Sequence, residues 1–242
     1  MKRLREYERL AGLYDDLWSH RIEQVYPLVS GLVRDRHLGG CRVLDIGCGT
    51  GLLAEKLCQD GHRVDAVDRS EQMLFEARER RVHRARFFRG DMCRISPQRE
   101  YRLITCTLGS INYLQDKEQL EQLFLMVSSA LLPGGFFIFD SKTERLYINQ
   151  HSETSLEDIN GYRFIQEKSY DKRWKKASVL FRFPDGRWES HTQYPHSLFD
   201  LLEPVRRAGL FVYRCYGGYR GELYNRESER LVCVVRYASK LR

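Results

Sequence analysis

Residues Val43 to Gly51 read V-L-D-I-G-C-G-T-G, residue types and spacing that can hold a nucleotide-like ligand. Branched apolar residues around an aspartate fit a buried parallel strand. Three glycines then let the backbone turn sharply and approach a ligand, because they carry no Cβ. In open α/β sheets, ligands sit in the crevice at the carboxyl ends of the strands, where this loop would lie. The spacing argues against a pyrophosphate. A dinucleotide fingerprint needs G-x-G-x-x-G; Gly47 and Gly49 fit it, but the third position is Leu52 and Gly51 comes one residue early. Asp45 adds a carboxylate, a poor neighbour for phosphate and a good one for a ligand bearing positive charge. Asp68 ends the next apolar run, Val64-Asp65-Ala66-Val67-Asp68, seventeen residues beyond Gly51. That is close to the roughly 20 residues expected before a ribose-binding carboxylate, which accepts from both ribose hydroxyls. Asp65 lies mid-strand and is expected to point to the other face.

This loop resembles motif I of the class I S-adenosylmethionine-dependent methyltransferases, D-x-G-x-G-x-G, through Asp45, Gly47, Gly49 and Gly51. Asp68-Arg69-Ser70 resembles the family's second motif, and Gly90-Asp91-Met92 its adenine clamp. Thr107 to Tyr113 resembles the strand-four edge that faces the substrate, and Tyr7 to Trp18 a recurrent helical opening of small-molecule methyltransferases. The resemblance implies S-adenosyl-L-methionine (SAM) as cofactor and S-adenosyl-L-homocysteine as product. It implies cofactor contacts at Tyr14, Asp45, Gly47, Cys48, Gly49, Gly51, Asp68, Arg69, Asp91, Met92, Thr107 and Leu108. Trp18, Asn112, Tyr113 and His191 are the candidates for touching the acceptor. Plainer alternatives stay open: Asp91 as a turn cap, Tyr14 and Tyr113 as packing aromatics.

Methyl transfer needs in-line approach of a nucleophile and little covalent help. An amine or hydroxyl acceptor gains from a general base, for which His191 and Tyr14 are the candidates, with His196 and Tyr113 behind them. No histidine, cysteine and carboxylate spacing suggests a metal.

The elements that must position these groups follow from periodicity. Tyr7, Leu10, Ala11, Tyr14 and Leu17 predict an amphipathic helix over Arg5–Ser19, and a second runs from about Arg21 to Asp35. Strands Arg42–Ile46, Arg63–Val67, Ala85–Arg89, Leu103–Thr107 and Phe136–Phe139 then alternate with helices Gly51–Gln59, Ser70–Arg80 and Lys117–Leu132. This predicts an α/β fold: a doubly wound, mostly parallel, seven-stranded Rossmann-like sheet. The pattern breaks after Asp140. Residues 141–160 read as a polar connection, and Tyr162–Tyr170, Ala177–Phe183 and Trp188–Tyr194 as an antiparallel β insertion over the sheet edge. Helix Ser197–Ala208 and strands Leu210–Cys215 and Arg230–Tyr237 complete the sheet. The expected organisation is therefore a core at 1–140, an insertion or lid at 141–195, and a completing segment at 196–242.

The formal charge of +7 permits an acidic substrate, a nucleic acid or a plain basic surface. Arg78, Arg80, Arg81, Arg84, Arg86 and Arg89 form the densest cluster; Lys172-Arg173-Trp174-Lys175-Lys176 reads as a hairpin tip. Seven scattered cysteines without a C-x-x-C pair, no membrane-length apolar run and no signal-like start predict a cytoplasmic protein. The favoured reading is a SAM-dependent enzyme that methylates nitrogen or oxygen of a small molecule, as a monomer or homodimer. An RNA methyltransferase using the arginine cluster, and a SAM-binding protein without turnover, are the alternatives.

Overall fold

Strand–helix alternation yields one seven-stranded sheet in the computed structural model, which describes residues 2–237. Its strands are β1 (Arg42–Ile46), β2 (Arg63–Asp68), β3 (Ala85–Arg89), β4 (Tyr101–Cys106), β5 (Leu131–Lys142), β10 (Leu210–Tyr216) and β11 (Arg230–Tyr237). They lie in the order β10-β11-β5-β4-β1-β2-β3. Among the described residues only β11 runs against its neighbours. Successive strand side chains serve opposite faces. Phe137, Phe139, Cys233 and Val235 pack with α5 (Lys117–Ala130) and α7 (Leu198–Arg207). Phe136, Ile138, Val232 and Val234 pack with α2 (Ile22–Asp35) and α3 (Leu52–Gln59). Burial on both faces explains why these strands are continuously apolar. Phe124 of α5 is fully buried, its ring 5.4 Å from Phe139. Truncating it to alanine would cost roughly 3–5 kcal/mol. Ser70 caps α4 (Glu71–Glu79), its hydroxyl accepting from the Met73 amide.

The insertion is a second sheet of its own, β6 (Thr154–Ile159), β7 (Tyr162–Asp171), β8 (Lys176–Arg182) and β9 (Trp188–Gln193), in that order. Three expectations are corrected here. The sheet does not lie over the edge of the core; it stands at the carboxyl ends of β4 and β5. The Tyr194 amide donates to Asn112 O at 2.7 Å, and Lys142 Nζ to Gln193 Oε1 at 2.9 Å. The reason is apolar: Phe164, Phe181 and Phe183 bury against Leu4 and Leu10 of the chain's start, which crosses this end. Residues 141–160 are not a bare connection, for they hold α6 (Glu144–Asn149) and β6. Finally, the helix expected over Arg5–Ser19 is broken. Tyr7 adopts a left-handed φ of 61°, a 3₁₀ turn spans Leu10–Leu13, and only α1 (Tyr14–Trp18) is α-helical. Three backbone N–H groups of this stretch bond Glu189 instead of continuing a helix. Met1 and the last five residues of the expected 196–242 segment lie outside the described residues.

Candidate active site

The glycine loop leaves β1 locked to β2: the Gly47 and Cys48 amides both donate to Val67 O, at 2.7 and 3.1 Å. Gly47 takes φ +66°, and a Cβ there would fall 2.6 Å from Ser110 Oγ, so no other residue fits. The Asp68 carboxylate accepts from the Gly49 amide (2.9 Å) and the Ser70 amide (2.8 Å). Burial pushes its pKa up, and these two amides act against that shift. Asp65, as expected, faces elsewhere: it binds Arg42, Arg86 and the Tyr101 hydroxyl.

Asp45 lies fully buried beneath the loop. Its Oδ1 accepts from Thr105 Oγ1 at 2.7 Å, while Oδ2 has no hydrogen-bond partner among the described residues. Burial pushes this carboxyl up to about 7, a shift the Thr105 hydrogen bond opposes and Asp68 reinforces. A buried acceptor without a donor costs about 1–3 kcal/mol, which a positively charged ligand nearby would offset. Asp45 thus fits a cofactor bearing ammonium and sulfonium charge.

Two cavities open above the carboxyl ends of the strands. The first is lined by Gly47, Gly49, Asp68, Arg69, Asp91 and Met92, the second by Trp18, Lys142, Phe181 and His191; Tyr7, Tyr14, Leu108 and Tyr113 line both. Sequence-predicted residues from six separate stretches of the chain therefore converge. Others do not reach a wall. Asp45, Cys48, Gly51 and Thr107 lie behind the lining. Gly51 instead lets α3 approach β3, since a Cβ there would sit 3.0 Å from the Phe87 ring. Asn112 is corrected from an acceptor contact to a structural tie. It is fully buried, its amide nitrogen donating to Ser141 Oγ, Lys142 O and Tyr194 O and its oxygen accepting from the Lys142 amide. Both amide donors are spent within the chain, and the side chain has no exposed surface from which to meet a ligand. His196 is likewise occupied, bonding Leu114 O at 2.9 Å, and burial lowers its pKa. Asp91 accepts from the Cys93 amide through Oδ1, which serves the turn, and the residue also lines the first cavity.

A hydrogen-bonded chain starts at the seam between the cavities and leads through the wall of the second. Tyr7 and Tyr113 hydroxyls lie 2.6 Å apart, Tyr113 Oη is 3.0 Å from His191 Nδ1, and His191 Nε2 is 3.2 Å from Glu189 Oε2. Glu189 has no exposed surface and also accepts from the Tyr7, Arg9 and Leu10 amides. With an acceptor-only carboxylate at Nε2, that nitrogen carries the proton and Nδ1 is left to accept from Tyr113. Burial first, then the neighbouring phenols, raises the Tyr7 pKa well above the ordinary value; burial also raises those of Tyr113 and of Tyr14, the last to about 12. All three phenols stay protonated near neutral pH.

Glu189 escaped sequence reasoning, although a signal was there. Trp188-Glu-Ser-His-Thr-Gln193 alternates with period two, putting Glu189, His191 and Gln193 on one strand face. That polar face is the buried one. Also unanticipated is a pin at the end of β4. Leu108 holds a left-handed φ of 60°, its amide donating to Tyr219 Oη at 3.1 Å. Tyr219 donates in turn to buried Asp140, which pairs with Arg230. Non-glycine residues at such φ values are uncommon and need this kind of support.

The arginine cluster is largely bound within the chain. Arg80 pairs with Asp15 and Glu55, Arg86 with Asp65, and Arg78 with Glu71. Guanidinium groups held this way are poorly placed to follow a phosphate backbone. The Lys172–Lys176 segment does form the tip between β7 and β8, with Trp174 exposed. Among the described residues no helix is long and apolar enough to cross a membrane.

Comparison with known proteins agrees with this geometry. Residues 43–135 match the family model described as "Methyltransferase domain". The chain is 30% identical over 236 residues to the cypemycin N-terminal methyltransferase of a Streptomyces species, covering 95% of this chain and 96% of that one. It is similar to the crystal structure of a SAM-dependent methyltransferase from Clostridium acetobutylicum, with TM-score 0.83, 26% identity, and 96% and 99% of the two chains covered. The fold is shared with a SAM-bound amino pentose methyltransferase from Micromonospora echinaspora, at TM-score 0.72 and 17% identity, over 93% and 97% of the chains.

Proposed function

This chain belongs to the class I SAM-dependent methyltransferases, and on that footing we propose that it methylates a nitrogen or oxygen atom of a small molecule held beneath the β6–β9 sheet. The observation that carries the reading is the seam. Two cavities share Tyr7, Tyr14, Leu108 and Tyr113, and a hydrogen-bonded chain leads from Tyr7 and Tyr113 of that common wall through His191 of the second cavity to Glu189 behind it.

In this reading Gly47, Gly49, Asp68, Asp91, Met92 and Tyr14 hold the cofactor in the first cavity, with Asp45 opposing its positive charge from below. SAM supplies an electrophilic methyl group on a sulfonium whose departure leaves the neutral thioether S-adenosyl-L-homocysteine. The chain's own task is to orient the acceptor, exclude water and take a proton. The acceptor hydroxyl or amine donates to Tyr7, whose phenol donates to Tyr113, which donates to His191 Nδ1. His191 gathers the proton as the acceptor loses it, and buried Glu189 holds the ring in the receiving tautomer and stabilises the resulting imidazolium. The phenols relay because they remain protonated donors at each stage. Glu189 is a positioning residue; His191 is the base.

Incubating a cell extract with methyl-labelled SAM and the enzyme tests this. Label is expected in a small molecule, on nitrogen or oxygen, and to fall sharply with His191→Phe while cofactor binding holds. Label found only in RNA would overturn it, and the internal pairing of the arginine cluster weighs against that outcome.

A further inference from the structure

The second cavity, about 370 Å³ in volume, has no aspartate or glutamate in its wall among the described residues. Its charged lining is cationic: Arg21, Lys142, Lys168 and Arg230. Two of these have carboxylate partners outside the wall, Arg230 in Asp140 and Lys168 in Glu153. Arg21 and Lys142 have none among the described residues. Arg21 lies over the Trp18 ring at 6.0 Å. Among the described residues Lys142 donates to Gln193 Oε1 alone, an oxygen that also accepts from Tyr147 at 3.0 Å, so two of its N–H donors remain available.

We propose that the acceptor is an anion, a small molecule whose carboxylate or phosphate group is held by Lys142 with Arg230 behind it. This rests on the reading of the second cavity as the acceptor site. The volume falls in the range of small-ligand pockets, and the charge balance excludes a neutral floor. The cofactor does not supply the missing charge. Its carboxylate can satisfy Arg21, which lies beside Tyr14, but its ammonium and sulfonium leave it net positive, and Lys142 still faces Arg230 and Arg21. Burial, then those two guanidinium groups, pulls the Lys142 ammonium down to about 7. A group in that position is relieved by an anion, because opposite charge nearby favours the charged form. The first cavity offers the contrast, with Asp68 and Asp91 in its wall beside Arg69 and Arg94.

The test uses the chain saturated with S-adenosylhomocysteine and four probes of one shape: benzoate, phenyl phosphate, benzyl alcohol and benzylamine, each titrated by calorimetry. One or both anions are expected to bind about tenfold or more tighter than the alcohol, a margin ordinary for a charge-assisted hydrogen bond. Which anion prevails names the group. Lys142→Met is expected to erase the preference and Lys142→Arg to keep part of it, with S-adenosylhomocysteine affinity holding in both. Equal binding of all four probes, or preference for benzylamine, overturns the inference. The probe series needs only the wild-type chain, so it decides the matter even where a variant does not fold. The labelled extract, passed over an anion exchanger, separates the two failures. Label in small molecules that are not retained overturns the anion alone; label confined to macromolecules overturns the acceptor site beneath it.

Discussion

The two halves of the site are built by different means. On the cofactor side the ligand meets backbone turns after β1 and short acidic side chains at the ends of β2 and β3, with Gly47, Gly49 and Asp68 within one βαβ unit. On the acceptor side it meets long aromatic and cationic side chains from the chain's start, from β5, and from β7 to β9. The first half depends on φ angles and hydrogen bonds that few residue types allow. The second depends on shape and charge assembled from distant segments, which many sequences can satisfy. A methyl donor shared across a family and an acceptor peculiar to one enzyme call for this division.

Breaking each half should therefore give a different signature. The largest effect is expected of His191→Phe, which should lower kcat roughly 100-fold or more, in line with loss of a general base, with cofactor affinity intact; an unchanged kcat would sink the relay. Asp68→Ala should weaken SAM binding on the order of 100-fold by calorimetry, since it removes charge-assisted bonds to ribose, and leave the circular dichroism spectrum alone. Near-normal affinity would move the ribose contact elsewhere. Asp45→Asn probes the loop through stability. The folded carboxyl titrates near 7, above the ordinary value near 4. Its contribution is therefore full below about pH 4 and lost as pH climbs through about 7. Without cofactor, the variant's Tm should gain on the parent's between about pH 4 and about pH 7; a constant difference would refute the shift. The smallest effect belongs to Arg84→Gln with Arg89→Gln, exposed at their backbone contacts. Turnover should stay within about twofold, as for most surface charges, and a larger fall would reopen the nucleic-acid reading.

How legible each half was in the sequence follows from the same division. The parallel sheet shows as mostly apolar runs such as Val43–Ile46, interrupted by Asp45 alone, because burial on both faces favours apolar residues. The glycine loop shows because Gly47 abuts Ser110 and nothing larger fits. The acceptor side was legible only in fragments. His191 stood out as a residue type, but Glu189 took its meaning from three amides about 180 positions earlier. Asn112 looked like a ligand contact because a polar residue beside a site can equally tie loops together, and only its four internal bonds decide. The start of the chain has helical periodicity through Leu10, Tyr14 and Leu17, yet tertiary bonding to Glu189 overrides it.

That clasp between Glu189 and the amides of residues 7, 9 and 10 also sets an order of assembly. During synthesis the opening segment emerges long before its carboxylate partner exists, and such distant pairings form late because loop closure must precede them. The glycine loop and β1 to β4 need no residue beyond Cys106 to stand side by side. The nascent enzyme thus acquires the framework of its donor site well before β9 can fasten the entrance over it, and turnover waits for nearly the whole chain.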